Sequence, residues 1–466
     1  MLHFLLPPLS KYLFKNLSHT MEDGNDFFLS PSFALYLNDI KHQIQTYSSQ
    51  WDIYKKYTNP YEYIHSNIPF VSGNTKSTCV SKYKPLSRSF FKMIELLQHF
   101  NLTNDLPVLR SFHLAEGPGG FIEALSHIRK NKHDKYFGMT LIKGTEDTDD
   151  IPGWRKTRSY LKDHSNVIIE SGKDKTGNIL SLENFEYVSN KYANSMDIIT
   201  ADGGFDFSSD FNKQEIHAAD LIFAQIAFAL CIQKHNGSFI LKIFDSFTKF
   251  TADLIALLAS MYDQVYITKP NTSRMANSER YIVCTGFRFS NTVEYYPYIH
   301  RTFTSITKSL VHSTKRRTLF PHIQLPSYFI NKLEETNAII GQQQIENIHY
   351  TLQLIMLASS SGSTFRTGTV SGSTTTDTFG PVRKQAGLAL ATGHLREETK
   401  FLDANVSGPR EWITRSESAG SIRSNKKPPC SIYSLIKKHI QKCYEWCLKY
   451  HIPIDYTCIS YHLNQT

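Results

Sequence analysis

Apolar positions along the first two thirds of the chain fall into two alternating rhythms. "SRSFFKMIELLQHF" (87–100) places Phe90, Ile94 and Leu97 on one face, with Phe91 and Met93 on its flank, the spacing of an amphipathic helix. "LRSFHLA" (109–115) is a short apolar run that stops at a glycine-rich break, after which "GGFIEALSHIRK" resumes helical spacing. "YFGMTLI" (136–142), "NVIIE" (166–170), "MDIITA" (196–201), "GSFILKI" (237–243) and "DQVYITK" (263–269) read as buried strands, with helical stretches at 213–234 and 246–261. Strands separated by helices imply βαβ units and a largely parallel sheet. "RYIVCTGFRF" (280–289) follows its predecessor after ten residues, marginal for a parallel crossover, so it is expected to return antiparallel. The fold expected is α/β and Rossmann-like: a mostly parallel seven-stranded sheet with its last strand antiparallel, plus helical flanks.

Outside this alternation the pattern changes. Residues 1–84 read as an N-terminal extension of mixed helix and loop, rich in tyrosine and asparagine, and 85–300 as the α/β domain. Residues 301–357 form a helical segment, and 429–466 a helical tail expected to pack against the helix at 330–356. Between them, 358–428 exchanges tyrosine, asparagine and lysine for serine, threonine, glycine and arginine, a composition expected to stay disordered. The sequence shows no internal repeat.

Composition narrows the function class slightly. The 466 residues carry a formal net charge of +9, which favours a polyanionic partner such as nucleic acid. Seven cysteines are scattered without a C-x-x-C pair or histidines at zinc-site spacing. Reduced thiols in a cytoplasmic compartment, and no metal, are expected. The start, "MLHFLLPPLSKYLF", lacks a basic n-region and a cleavage site, so it reads as a poorly determined arm, not a signal peptide. No apolar run approaches 18 residues, so no spanning helix and no membrane are expected.

Chemistry concentrates at the ends of the strands. In "HLAEGPGGFIEAL" (113–125), Glu116 ends a strand, Gly117, Pro118, Gly119 and Gly120 turn, and Phe121 opens a helix. Such a turn leaves backbone N–H groups facing outward. The G-x-G-x-x-G spacing and the acid at the end of the second strand, which a dinucleotide needs, are both missing, so a ligand without a pyrophosphate suits it better. Asp202 stands just past the fourth strand in "ITADGG", Lys242 near the end of the fifth, and Glu279 at the mouth of the last. Lys92 lies on the polar side of the helix that precedes the first strand. Two lysines and two carboxylates at one sheet edge are a way to let an amine act as a base near neutral pH: a neighbouring ammonium and desolvation depress its pKa while the carboxylates orient it. Taken singly, each has a plainer explanation as a turn residue, a snorkelling lysine or a solvated charge.

The segments "PLSRSFFKMIEL", "AEGPGGFIEAL", "FGMTL", "ITADGGFDF", "GSFILKIFDSF" and "KPNTSRMANSERYIVCTGF", in this order over residues 55–290, resemble the FtsJ-like (RrmJ-type) RNA 2′-O-methyltransferases. Within these they resemble the cap-specific mRNA (nucleoside-2′-O-)-methyltransferases of animals and large DNA viruses. The resemblance implies a methyltransferase fold dependent on S-adenosyl-L-methionine. It also implies a catalytic tetrad of Lys92, Asp202, Lys242 and Glu279, with Lys242 as base. A cofactor site would comprise Glu116, Gly117, Pro118, Gly119, Gly120 and Phe121, with Asn178, Ile179 and Asp202. Asn178 departs from the family, where an acid is usual; Asp174 is a nearby substitute. Ser273, Arg274 and Ser278 fall in the loop that faces substrate in relatives. The implied partner is RNA, the 5′ end of capped mRNA methylated at its first transcribed nucleotide, with other capping or transcription proteins and, for a viral chain, the viral factory or virion as further expectations. The alternatives are ribosomal or transfer RNA as substrate, and a non-catalytic RNA-binding subunit. Tyr57, Tyr61 and Tyr63 are candidates to stack a cap, or simply core residues, and Lys315, Arg316 and Arg317 are candidates for phosphate contacts.

Overall fold

The structure is a computed structural model that describes residues 1–24, 27–69, 79–103, 106–142, 153–204, 211–308, 316–360 and 432–456. The serine-rich stretch expected to be disordered lies outside these residues except for Ala358–Ser360, which end a helix. Lys315, Cys430 and Cys458 also lie outside them.

In chain order the strands are β1 (Leu2–Leu5), β2 (Thr20–Glu22), β3 (Arg110–Leu114), β4 (Lys135–Met139), β5 (Val167–Ile169), β6 (Met196–Ala201), β7 (Gln233–Ile243), β8 (Tyr262–Lys269), β9 (Arg280–Phe287) and β10 (Arg316–Thr318). The helices are α1 (Pro31–Thr46), α2 (Ser48–Tyr57), α3 (Ser89–His99), α4 (Gly120–Arg129), α5 (Arg158–Asp163), α6 (Leu182–Tyr192), α7 (Gln214–Ile232), α8 (Lys249–Met261), α9 (Tyr296–Lys308), α10 (Ser327–Ser360) and α11 (Ile432–Lys449). The main sheet has the order β1-β8-β9-β7-β6-β3-β4-β5, and β2 pairs with β10 in a separate ribbon. From β7 through β6, β3 and β4 to β5 all pairings are parallel, and β9 runs antiparallel between β7 and β8. The seven strands read from the sequence are present, with the antiparallel return as expected. The correction is an eighth: the N-terminal arm adds β1 antiparallel to the outer side of β8, covering an edge that would otherwise expose its backbone groups.

Alternation along each strand feeds two layers. Phe112, Leu114, Ile199, Ala201, Phe239 and Leu241 face a cluster built with α7, α8 and α9, while Ile198, Ile240, Tyr281 and Val283 face another built with α3, α4 and α11. Helix α7 is long and apolar enough to cross a membrane by composition. It instead packs among β7, α6, α8 and α9 with nearly every side chain buried, as a core helix does. A third cluster joins α1, α2 and α10.

Two expectations about the flanks change here. All residues from Phe90 to Leu97 of α3 are buried, so Lys92 does not ride a solvated polar side. The second face of α3 is covered by α11, whose Trp446 meets Phe91 edge-on, and by the 62–64 segment. The tail therefore packs with α3 and residues 62–64, while α10 packs on α1 and α2. Among the described residues, the flanks cluster with the central domain.

Candidate active site

The strand register builds the site. The strand order reverses between β3 and β6, and the crevice at the carboxyl ends of such a pair is where open α/β sheets bind ligands. Leu114 pairs with Ala201, so Glu116 and Asp202 leave the sheet side by side; the Asp202 N–H donates to the Leu114 carbonyl at 3.3 Å. Ala201 pairs with Leu241, which puts Lys242 next to Asp202, and Lys242 pairs in turn with Tyr281 on β9. Glu279 then sits at the entry to β9, and α3 brings Lys92 over it.

Two ion pairs result. Lys92 Nζ lies 2.7 and 2.8 Å from the two carboxylate oxygens of Glu279. Lys242 Nζ lies 3.2 Å from Asp202 Oδ1 and donates to the Asp202 carbonyl at 2.7 Å. The pairs are linked through Tyr281, whose hydroxyl donates to Asp202 Oδ1 at 3.1 Å and whose ring centroid is 6.0 Å from Lys92 Nζ. Burial lowers the Lys92 pKa, and Arg88 and Lys242 add to this against the pull of Glu279. Burial also opposes ionisation of Glu279, but the charges of Lys92, Lys242 and Arg88 overcome it and hold the carboxyl below its usual range. Burial, then Asp202 and Glu279, raise the Tyr281 hydroxyl well above its ordinary value.

The glycine turn lies beside these pairs. Gly119, at φ +103°, adopts a conformation that side chains rarely take, and opens α4. The Gly119 N–H donates to the Glu116 carbonyl at 2.7 Å, and the Phe121 N–H donates to Glu116 Oε1. Glu116 Oε2 is buried and has no hydrogen-bond partner among the described residues. Burial, then the charge of Asp202, push this carboxyl well above its usual range, against the N–H groups of Phe121 and Ile122. Thr157 donates its hydroxyl to the Pro118 carbonyl, pinning the outside of the turn.

The loop before α6 forms the next wall. Gly177, at φ +65°, sits so close to the end of β4 that a Cβ would come within 1.9 Å of the Thr140 carbonyl oxygen. Asn178 Oδ1 accepts from the Leu180 N–H at 3.0 Å, and Ile179 is buried. Asp174 is turned to its own loop: its Oδ1 accepts from the N–H and hydroxyl of Thr176 and from Asn184 Nδ2.

The structure thus gathers Lys92, Asp202, Lys242 and Glu279 with the glycine turn. The loop residues are engaged internally: Ser273 donates to Glu279 Oε1 at 2.7 Å, Ser278 donates to Gln214, and Arg274 holds Glu62 at 2.9 and 2.7 Å. Tyr57, Tyr61 and Tyr63 pack in the cluster around α3. Arg316 and Arg317 pair with Glu22 and Asp220. Sequence reasoning missed Tyr281, Glu95 and Lys269. The last two had a signal, being charges within otherwise apolar segments, whereas Tyr281 reads as one more strand residue.

Residues 85–287 match the FtsJ-like methyltransferase family. The chain is 31% identical over 254 residues to the cap-specific mRNA (nucleoside-2′-O-)-methyltransferase 2 of Pongo abelii, covering 53% of this chain and 32% of that protein. It is 29% identical over 334 residues to the Danio rerio protein of the same name, covering 69% and 43%. To the cap-specific mRNA (nucleoside-2′-O-)-methyltransferase 1 of Mus musculus it is 36% identical over 190 residues, 40% and 22%. The matched stretches span less than half of each of these relatives.

Proposed function

We propose, from the premise that residues 85–287 form an FtsJ-like methyltransferase domain, that the chain methylates a ribose 2′-hydroxyl of RNA, at the first transcribed nucleotide of capped mRNA. The observation that carries this reading is the convergence of the Lys92–Glu279 and Lys242–Asp202 pairs beside the glycine turn.

The cofactor of this reading is S-adenosylmethionine, which supplies an electrophilic methyl group on a sulfonium. The residues present fit it. A buried carboxyl oxygen with no partner among the described residues, Glu116 Oε2, suits a cationic ligand, because an unpaired buried acceptor is costly until something donates to it. The residues that would hold the ligand are Glu116 to Phe121, Asn178, Ile179 and Asp202.

The chain's own residues then account for the proton. A ribose hydroxyl is a weak acid, so its oxygen becomes a good nucleophile only as its proton leaves to a positioned base. Lys242, on a strand and held by both the carboxylate and the carbonyl of Asp202, is placed to take that proton on Nζ and pass it to solvent. Lys92 and Glu279 keep a fixed pair of charges beside it, in a site where such charges need no rearrangement during the reaction.

The names of all three relatives specify capped mRNA, which favours it over ribosomal or transfer RNA. The complete tetrad favours an enzyme over a retired RNA-binding subunit. The test is methyl transfer from labelled S-adenosylmethionine to matched short RNAs with a cap, without one, and with structured ends. Label confined to the first nucleotide of capped RNA is expected. Label on uncapped structured RNA would move the substrate, and cofactor binding without transfer to any RNA would remove the enzymatic reading.

A further inference from the structure

We infer that Glu95 and Glu62 are positioning residues of this site: buried carboxylates that brace the loop between β8 and β9 so that Glu279 stays on Lys92. The reaction they would serve rests on the proposed function; the bracing itself does not.

Ten residues, 270–279, connect β8 to β9 and end at Glu279. At the near end of the loop, the Asn271 and Thr272 N–H groups donate to Glu95 Oε2 and Oε1 at 2.9 and 2.8 Å. Glu95 is fully buried and follows Lys92 by three residues on α3, so the two share a helix face. One helix face therefore grips the loop at both ends, at its start through Glu95 and at its finish through Lys92. In the middle, Arg274 forms a two-pronged pair with Glu62, which is also fully buried and accepts from Asn59 Nδ2 and Ser66 Oγ at 2.8 and 2.7 Å. Glu62 belongs to the N-terminal flank, which gives that flank a place in the site. From below, Lys269 donates to the Asn277 carbonyl and side-chain oxygen and to the Glu279 carbonyl.

A connection of this length has many conformations when free. Charge-assisted and two-pronged hydrogen bonds from rigid elements leave it few. Neither Glu95 nor Glu62 touches Lys242 or Asp202 among the described contacts; they act only through the loop. Burial raises the Glu95 carboxyl, opposed by the Thr272 and Asn271 donors, and Arg274 holds Glu62 below its usual range despite burial.

The variants are Glu95→Gln and Glu62→Gln in the full chain. An amide keeps the shape but turns a donor toward one of the groups that the carboxylate accepts from. Three readouts are taken: hydrogen exchange over 270–279, calorimetric affinity for S-adenosylmethionine, and kcat and KM on whichever RNA the parent chain methylates. The expected result is faster exchange in this loop and kcat lower by about a hundredfold, the scale of a displacement near 1 Å, with cofactor affinity and KM within about twofold. Glu95→Asp, which keeps the charge, is expected to recover part of kcat. Unchanged exchange in the loop overturns the inference. So does a loss of kcat accompanied by equal loss of cofactor affinity, which marks a general collapse. Should Glu95→Gln fail to fold, Glu62→Gln and Arg274→Lys carry the same readouts. A parent chain that methylates no RNA defeats the proposed function alone, since exchange still decides whether the loop is braced.

Discussion

The two halves of the sheet edge solve different problems. Beyond β3 and β4 the edge is made mainly of backbone: a glycine turn, a tight loop at Gly177 and one carboxyl group, Glu116, with a buried oxygen that no described residue pairs. Beyond β6, β7 and β9 the edge is made of charged side chains, each with a partner of opposite sign. One half offers backbone and an acceptor oxygen; the other is a set of paired charges. Under the proposed function the first half binds and the second does the chemistry, so substitutions in the two halves should give different signatures.

Lys242→Ala should give the largest effect. Turnover is expected to fall by about 10³-fold or more, within the range for loss of a general base, while cofactor affinity changes little. Single-turnover kinetics with calorimetry checks both, and loss of cofactor binding would break the division between the halves. Glu116→Gln should show the reverse: cofactor affinity lower by about ten- to a hundredfold, the scale of a hydrogen bond to a charged group, with turnover at saturating cofactor nearly kept.

A pH series sharpens the same contrast. The Glu116 pKa is raised from 4.5 by burial and by Asp202. The free protein therefore keeps this carboxyl neutral over a range where an unfolded chain would ionise it. Its contribution to stability is full below pH 4.5 and is lost as pH rises through the raised value. A cationic ligand favours the ionised form, so binding should release a proton and tighten with pH, by up to about tenfold per unit below the raised value. Calorimetry in buffers of different ionisation enthalpy reads the proton directly, and Glu116→Gln should abolish the release. The smallest effect is expected for Asn178→Ala, about threefold or less in cofactor affinity, because the Asn178 side-chain oxygen is already engaged by the Leu180 N–H.

The sheet was legible because its strands are buried on both faces and separated by helices of distinct period. The same register explains why Asp202, Lys242 and Glu279 could be placed together without coordinates: each stands within two residues of a strand end at one edge. Lys92 was placed at the right edge for the wrong reason, since nothing in α3 announces that α11 and residues 62–64 cover its second face. Strand β1 was missed because Pro7 and Pro8 and the lack of a paired neighbour in sequence make "LHFL" look like an arm; its partner β8 is more than 250 residues away. Arg274 was linked to substrate on resemblance, and its bond to Glu62 depends on a tertiary contact across 212 positions. Local pattern carries local structure, and such long-range polar contacts have no local signature.

The most direct test maps the methyl group. Capped RNA labelled by the parent chain and by Lys242→Ala is digested to nucleosides, with cofactor affinity measured in parallel. The expected result is label on the ribose 2′-oxygen of the first nucleotide for the parent chain, and almost none for Lys242→Ala at equal cofactor occupancy. Label on a base nitrogen, or ribose methylation that persists in Lys242→Ala, would contradict it.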